Sequence, residues 1–181
     1  MNKSNPDKYP TVAVLTVSDR SALGLRKDLS GPAVVQSIHS LTGWDCTEID
    51  IVSDDVNEIS AKLSSWADDD KINLIITTGG TGMSIRDVTP EATLTVIARE
   101  APGLMEAVRA ASLSITPYAM LSRAVAGIRG HSLIINLPGN PKAVNEALTV
   151  LATALPHALD LISDHHTNSQ HHSRKPEIDS E

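Results

Sequence analysis

The feature that most restricts the fold of this chain is a buried strand that runs directly into a glycine loop and then into a helix. Residues 72–78, Ile-Asn-Leu-Ile-Ile-Thr-Thr, are apolar and β-branched, which is typical of a buried strand. The loop that follows, residues 79–87, has glycine at three of its first four positions. Thr89 is a suitable helix cap, Pro90 suits the first helical position, and Glu91 lies where the helix dipole favours an acid.

The glycine loop (residues 79–87) predicts an anion site. Without Cβ atoms, Gly79, Gly80 and Gly82 let backbone N–H groups close around a phosphate. Asp87, at the edge of the loop, adds a carboxylate that can bind a divalent cation or handle a proton. A plain tight turn is the competing interpretation, because two known phosphate motifs are absent. No Gly-Lys-Ser/Thr follows the loop, and the third glycine of the dinucleotide motif would fall at Ile85.

Composition narrows the class of protein. A chain of 181 residues with 41% hydrophobic residues suits one domain with its own core. There is no Phe, and there are only two Trp and two Tyr, so the core must consist of Val, Ile, Leu and Ala. This favours α/β layers and disfavours RNA binding on aromatic platforms. A formal charge of -7 disfavours a broad nucleic-acid surface.

Cysteine usage and hydropathy indicate the compartment. Cys46 is the only cysteine, so no intrachain disulfide can form, which fits a reducing environment. The first ten residues are polar, and no apolar run approaches the roughly 20 residues of a membrane span. We therefore expect a soluble, cytoplasmic protein without a nucleic-acid or membrane partner.

Apolar runs and breakers alternate along the chain. The predicted strands are residues 11–17, 44–52, 72–78 and 132–137, and the predicted helices are 32–41, 56–66, 90–100, 104–113 and 140–162. We expect a polar loop or lid between Ser18 and Pro32, a short helix leading into a strand over 119–128, and a break or kink at Pro156. Domain boundaries follow: a flexible arm over residues 1–10 and a folded domain over 11–162.

The remaining segment, residues 163–181, is predicted to be a disordered polar tail. Its four clustered histidines are His165, His166, His171 and His172. Nothing in the sequence gives them a fixed geometry, so a disordered tail is favoured over a metal site. The acidic run Asp68-Asp69-Asp70 is likewise interpreted as a solvated turn.

Strands that alternate with helices predict an α/β fold with a mostly parallel sheet and helices on both faces. Ligands of such sheets bind beyond the carboxyl ends of the strands. This rule brings four loops together: Ser18-Asp19-Arg20, Ser53-Asp54-Asp55, the glycine loop, and Pro138-Gly139-Asn140. Two are glycine turns and three carry carboxylates, so together they favour a phosphate and metal site more strongly than any one does alone.

The glycine loop is part of a longer pattern, Thr77-Thr-Gly-Gly-Thr-Gly followed by Arg86-Asp-Val-Thr-Pro-Glu91. This pattern resembles the signature of the molybdopterin adenylyltransferases, the MogA/MoaB-type proteins related to the G domains of gephyrin and plant Cnx proteins. Further matching blocks occur in the family's order: 16–20, Gly24, Asp28, 30–32, 102–103, Arg109, 121–123 and 136–139. The resemblance covers residues 11–162 and excludes the tail.

The resemblance implies a three-layer α/β/α fold, assembled as a homotrimer. It also implies a nucleotidyltransferase that joins molybdopterin and ATP, with Mg²⁺, to give adenylylated molybdopterin and pyrophosphate in molybdenum cofactor biosynthesis. Transient contact with the molybdenum-insertion enzyme is a further expectation. Such a transfer needs alignment and charge neutralisation more than a protein nucleophile. The sequence accordingly lacks a Gly-x-Ser-x-Gly elbow and a catalytic cysteine pattern.

The same resemblance assigns the site residues. It implies that Asp54 and Asp87 are the catalytic acids and the magnesium ligands. The residues implied to bind substrate or nucleotide are Ser18, Asp19, Gly79, Gly80, Thr81, Gly82, Pro138 and Gly139. The family commonly has Pro-Asp-Glu where this chain has Ser53-Asp54-Asp55, so either Asp54 or Asp55 can face the metal.

Several alternatives remain open at this point. A molybdopterin carrier or scaffold domain would have the same fold without catalysis. Two acids at the rim of the site, where the carboxyl ends of the strands meet, favour catalysis. An unrelated nucleotide hydrolase would usually need a lysine in the glycine loop, and there is none. The basic candidates Arg20, Arg86, Arg123 and Lys142 are either phosphate contacts or ion pairs. The downstream metal, molybdenum or tungsten, does not take part in this step.

Overall fold

Strands and helices alternate through residues 9–163, the part of the chain that the computed structural model describes. The strands are β1 (Val12–Val17), β2 (Cys46–Val52), β3 (Leu74–Thr78), β4 (Arg99–Glu100), β5 (Ala126–Arg129) and β6 (Ser132–Leu137). The helices are α1 (Asp19–Ala22), α2 (Ser30–Thr42), α3 (Val56–Asp68), α4 (Thr89–Val96), α5 (Pro102–Leu113), α6 (Pro141–Leu151) and α7 (Leu155–Ile162). A 3-10 helix covers Pro117–Leu121, so the predicted short helix before a strand is confirmed.

One six-stranded sheet, in the order β2-β1-β3-β6-β5-β4, organises the fold. The first four strands in this order are parallel. Strand β5 pairs antiparallel with β6, and β4 pairs antiparallel with β5. A two-residue turn joins β5 to β6, and its first residue, Gly130, has φ +53°. The mostly parallel sheet predicted from the sequence is therefore confirmed.

Helices cover both faces of the sheet because successive side chains of each central strand point to opposite sides. Leu74 and Ile76 of β3 join a core cluster with α2, α5, α6 and α7. Ile75 joins a second cluster with α3 and α4. Trp44 belongs to the first cluster and Trp66 to the second, and the other buried side chains are mainly Val, Ile, Leu and Ala. This arrangement is the three-layer α/β/α fold.

The helix predicted over 90–100 is shorter than expected. It ends at Val96, and Ile97 is already extended with φ -71° and ψ 144°. The N–H groups of Ala98 and Ala101 donate to carbonyl groups of the neighbouring strand β5, each at 2.8 Å. Pairing with β5 therefore overrides the helical propensity and produces strand β4, which the sequence did not indicate.

Two other helix starts differ from the prediction. Thr89 is the first residue of α4 and not its cap, and its hydroxyl donates to the carbonyl oxygen of Gly79 at 2.9 Å. Helix α2 begins at Ser30 and not at Pro32, because the Asp28 carboxylate accepts the N–H of Ser30 at 2.9 Å. The predicted break near Pro156 is confirmed, and Pro156 lies in the first turn of α7.

The predicted terminal segments fall largely beyond the described residues. The arm over residues 1–10 and the tail over 163–181, with its histidine cluster, lie there except for Tyr9, Pro10 and Ser163. Between residues 9 and 163, no helix combines the length and apolar character that crossing a membrane requires.

Candidate active site at the carboxyl ends of the strands

A pocket of about 230 Å³ lies where the carboxyl ends of β1, β2, β3 and β6 meet. Six of the residues predicted to form the site line it: Ser18, Asp54, Gly79, Gly80, Asp87 and Gly139. The parallel strands bring these residues together although up to 121 positions separate them in the sequence (139 − 18 = 121). The pocket thus lies at the edge of the sheet where the sequence predicts a ligand.

The other four predicted residues adjoin the pocket without lining it. The carboxylate of Asp19 lies beside Asp54, as described below. Thr81 is buried and Gly82 turns its carbonyl group to Arg123. The carbonyl oxygen of Pro138 accepts the hydroxyl of Thr78 at 2.8 Å. Pro138 itself lines a neighbouring cavity of about 220 Å³ between α5 and α6.

Glycine is required at the start of the glycine loop. Gly79 has φ +101°, and a Cβ atom there would lie 2.3 Å from the carbonyl oxygen of Val17. Gly80 has φ +61°, and its Cβ would lie 2.3 Å from the Thr89 hydroxyl oxygen and 3.2 Å from an Asp54 carboxylate oxygen. The positive φ angles and the missing Cβ atoms let the loop lie directly against β1 and the acid.

The glycine loop offers several unused backbone donors. Within residues 9–163, the N–H groups of Gly80, Thr81, Gly82 and Met83 have no protein hydrogen-bond partner. Successive N–H groups without partners in a turn favour an anion. The loop therefore has unpartnered donors where the sequence predicts a phosphate site.

Asp19 and Asp54 hold each other in position. The N–H of Asp19 donates to a carboxylate oxygen of Asp54 at 2.8 Å, and the N–H of Asp54 donates to a carboxylate oxygen of Asp19 at 2.9 Å. Arg86, from the glycine loop, donates to both carboxylate oxygens of Asp19, with an Nη2–Oδ2 distance of 2.7 Å. These hydrogen bonds from Arg86 hold the pKa of Asp19 below its usual value. The glycine loop is thus linked across the pocket edge to the start of α1.

The structure distinguishes Asp54 from Asp55. Asp54 lines the pocket, whereas the Asp55 carboxylate caps α3 by accepting the N–H groups of Asn57 and Glu58 at 2.8 and 3.1 Å. A side chain used as a helix cap is directed along its own helix. Asp54 is therefore the acid of this loop that faces the pocket.

Ionisation of the Asp54 carboxyl is less favourable in the folded protein than in the unfolded chain. Burial raises its pKa, and the nearby charges of Asp19 and Asp87 raise it further, while the Asp19 N–H opposes the shift. The folded state thus binds the proton more tightly than the unfolded state, so this contribution to stability is present at low pH. It is lost as the pH rises through the raised pKa.

Asp54→Asn is therefore expected to stabilise the protein at neutral pH in the absence of magnesium and ligand. The amide oxygen still accepts the Asp19 N–H, and the unfavourable charge is gone. Partial exposure keeps the effect below about 1 kcal/mol, or about 1–3 °C in Tm. Thermal unfolding should show a gain at pH 7 that shrinks towards pH 4. Asp55→Asn is the matched control, because Asn also caps helices; an equal gain there would contradict the explanation.

Asp87 is presented by a turn inside the glycine loop. Its carboxylate accepts the N–H of Ser84 at 3.0 Å, and its own N–H donates to the Ser84 carbonyl oxygen at 3.0 Å.

In the described part of the chain, no group of three or more His, Cys, Asp or Glu side chains is placed to hold a metal ion. Cys46 is no nucleophile at neutral pH, since burial raises the pKa of its thiol to about 11.

The basic residues of the pocket differ from those singled out in the sequence. Arg86 pairs with Asp19, Arg123 pairs with Glu91, and Lys142 lies 3.7 Å from Glu146. Instead, Arg26 and Lys27 line the pocket. Both belong to the connection between α1 and α2, which the sequence predicts only as a polar loop or lid.

One sequence signal points to this connection. Two positive charges stand between Gly24 and Asp28 in a loop that directly follows a central strand. The Asp28 carboxylate also accepts the hydroxyl of Thr16 at 2.7 Å, which attaches the connection to β1. The sequence therefore allowed a cationic loop beside the predicted anion site to be detected. It did not show that the side chains of this loop turn into the pocket.

Comparisons with known proteins show similarity over most of the chain. A family model described as a probable molybdopterin binding domain matches residues 13–157. The chain is 44% identical over 153 residues to the molybdopterin adenylyltransferase of Helicobacter pylori, covering 83% of this chain and 86% of that protein. It is 43% identical over 175 residues to gephyrin of Dictyostelium discoideum, covering 92% of this chain but only 24% of that longer protein.

Solved structures show the same relationship. The molybdopterin biosynthesis enzyme MoaB of Thermus thermophilus has a TM-score of 0.80 at 43% identity, covering 85% of this chain and 96% of that chain. The molybdopterin biosynthesis Mog protein of Mycobacterium ulcerans has a TM-score of 0.78 at 38% identity, covering 84% and 99%. Because the family model matches residues 13–157, about four-fifths of the chain, and these proteins share its fold, this chain belongs to the molybdopterin binding domain family.

Proposed function

We propose that this protein transfers the adenylyl group of ATP to molybdopterin, giving adenylylated molybdopterin and pyrophosphate in molybdenum cofactor biosynthesis. The observation that carries the proposal is the pairing of two rim carboxylates, Asp54 and Asp87, with the unused N–H groups of the glycine loop. A pterin carrier needs donors for a phosphate but no pair of acids. The similarity to molybdopterin adenylyltransferases over most of their length supports the same activity.

The reaction requires no protein nucleophile. A phosphate oxygen of molybdopterin attacks the α-phosphorus of ATP, a new P–O–P bond forms, and the bond to the bridging oxygen of the leaving pyrophosphate breaks. The N–H groups of residues 80–83 are suited to bind the phosphates, and Arg26 and Lys27 are suited to balance the charge that develops on pyrophosphate. The protein thus acts by aligning two anions and neutralising their charge.

We further propose that the reaction uses Mg²⁺, held by Asp54 and Asp87. Magnesium in proteins is commonly bound by one or two carboxylates together with substrate phosphates, so a pair of acids fits this ion without a third protein ligand. When bound, the ion would neutralise phosphate charge. The mutual repulsion that helps to raise the Asp54 pKa is also what a cation between the two acids would relieve.

Four properties of the whole molecule are part of the proposal. Residues 11–162 form the functional domain. Limited proteolysis is the test of these boundaries. The protein is a homotrimer, so light scattering should give about three times the 19.2 kDa chain mass. It acts in the cytoplasm, which cell fractionation tests. It contacts the molybdenum-insertion enzyme transiently, which a crosslinking assay with and without adenylylated product tests.

The deciding experiment follows the fate of the adenylyl group. Purified protein is mixed with molybdopterin, magnesium and ATP labelled at the α-phosphate, and the pterin fraction is separated. We expect label in the pterin fraction, release of pyrophosphate, and dependence on magnesium. A parallel reaction with ATP labelled at the γ-phosphate should place label only in pyrophosphate.

Two results would contradict the proposal. Tight binding of molybdopterin without label transfer would indicate a carrier or scaffold domain. Release of labelled AMP that does not require molybdopterin would indicate a nucleotide hydrolase. Comparing ATP alone, molybdopterin alone and both together distinguishes these outcomes in one series.

A further inference from the structure

Arg123 holds the glycine loop from outside the ligand pocket. Its Nε donates to the Gly82 carbonyl oxygen at 2.7 Å, and its Nη2 donates to the Asp87 carbonyl oxygen. Its backbone N–H donates to the Thr81 carbonyl oxygen at 2.9 Å. Its Nη1 pairs with Glu91 in the first turn of α4. One residue thus ties the loop at three carbonyl groups and connects it to the helix that follows.

The middle of the loop depends on few other attachments. Within residues 9–163, every hydrogen bond that joins residues 81–87 to the remainder of the protein involves Arg123 or the Arg86–Asp19 pair. The Arg86 side chain is 63% exposed, whereas that of Arg123 is 33% exposed. Exposed ion pairs are screened by solvent and salt. Arg123 is therefore the stronger attachment.

The attachment also sets the direction of the loop donors. The described residues contain no cis peptide bond, and a trans peptide directs its N–H opposite to its carbonyl group. The Thr81 carbonyl oxygen accepts the backbone N–H of Arg123, and the Gly82 carbonyl oxygen accepts its guanidinium N–H. The N–H groups of Gly82 and Met83 therefore point away from Arg123. Those N–H groups are among the unused donors of the site. The carbonyl group of Asp87 is held in the same way, next to the acid that lines the pocket.

We propose that Arg123 is a positioning residue for adenylyl transfer. Its guanidinium holds the carbonyl groups of Gly82 and Asp87, and its backbone N–H holds that of Thr81. These bonds direct the loop N–H groups and the Asp87 carboxylate towards the reacting phosphates, which Arg123 does not touch itself. The catalytic part of this inference rests on the proposed function. The expected loss of rate on removing the Arg123 side chain follows from the sensitivity of such reactions to position. A misplacement of about 1 Å costs about 100-fold in rate.

Arg129 offers a matched control. Its Nε and Nη2 donate to Asp68 at 2.9 and 2.5 Å and its Nη1 donates to the Val96 carbonyl oxygen at 2.8 Å, so its guanidinium also joins an acid and the backbone. It contacts no residue of the glycine loop. Arg123→Ala should lower kcat by about 10- to 100-fold. Arg129→Ala should leave kcat within about twofold, since it removes similar contacts elsewhere.

Chemical rescue separates positioning from a general structural defect. Added guanidinium at low, non-denaturing concentration should restore the kcat of Arg123→Ala by about tenfold, because it can occupy the vacated site and bind the carbonyl groups of Gly82 and Asp87. It should not change the kcat of the wild type or of Arg129→Ala. Arg123→Lys should also lose about tenfold or more in kcat, because an ammonium group lacks the planar fork that serves several acceptors.

Amide hydrogen exchange gives a readout that does not require catalysis. Arg123→Ala should speed exchange across residues 79–88 by about tenfold, and Arg129→Ala should not. Unchanged loop exchange, a kcat within about threefold of wild type, or activity that guanidinium does not restore would each overturn the proposal. If Arg123→Ala does not fold, the kcat and loop exchange of Arg123→Lys decide in its place. A wild-type protein without transfer would remove the proposed function, and the exchange comparison would still decide whether Arg123 holds the loop.

Discussion

Asp87→Asn is expected to lower adenylyl transfer by about 100- to 1,000-fold, the size of effect seen when a preorganised electrostatic contact is removed from a transition state. The asparagine oxygen can still accept the Ser84 N–H, so the turn within the glycine loop should persist. What is lost is the negative charge that is proposed to bind magnesium. The α-labelled ATP assay measures the loss, and thermal unfolding should show a Tm within about 2 °C of wild type.

Asp70→Asn is the control for this substitution. It removes the same charge from an exposed residue in the turn that follows α3, away from the pocket. Transfer by this variant should be unchanged, as the interpretation of the acidic run 68–70 as a solvated turn predicts. Asp87→Asn with more than a third of wild-type activity would remove Asp87 from the mechanism. A similar loss in both variants would point to overall charge and not to the site.

Gly79→Ala is expected to destabilise the protein by about 3 kcal/mol or more, because it adds a steric clash to an unfavourable backbone angle. The new Cβ would lie 2.3 Å from the Val17 carbonyl oxygen at φ +101°. That oxygen belongs to the backbone of a central strand, so it cannot move without distorting β1. Urea unfolding gives the free energy from the midpoint and the slope.

Gly24→Ala separates the two causes. Gly24 has φ +69°, but an added Cβ there would meet no atom within 4 Å. This substitution should cost only about 1–2 kcal/mol, the penalty of a left-handed conformation alone. The difference between the two variants is then the cost of the clash. Equal losses would mean that the loop can move away from β1, contrary to the close approach proposed for ligand binding.

Much of the site was predictable because it follows from local pattern and from topology. The run from Ile72 to Thr78 predicted a buried strand, and the glycines after it predicted a loop without Cβ atoms. Parallel strands present their carboxyl ends at one edge of a sheet. Asp54 and Asp87 could therefore be placed at the same rim although 33 positions separate them (87 − 54 = 33).

The failures have a different physical origin. Residues 97–100 were predicted to continue a helix, but hydrogen bonds to β5 made them extended. The sequence left Arg123 open between a phosphate contact and an ion pair. The structure directs its guanidinium to Glu91 and to carbonyl groups 36 and 41 positions away. No periodicity or spacing encodes contacts of that range, since they depend on how loops from different strands lie against each other.

By itself, the sequence determined the alternation of strands and helices, the mostly parallel sheet, the edge at which the pocket lies and the family resemblance. These depend on hydrophobic period, on breakers and on glycine, whose effects act within a few residues. Only the tertiary structure decided that Asp54 and not Asp55 faces the pocket, that Arg26 and Lys27 line it, and that Arg123 holds the loop. Each of these is a choice between side-chain directions that are locally equivalent, and packing between distant segments makes that choice.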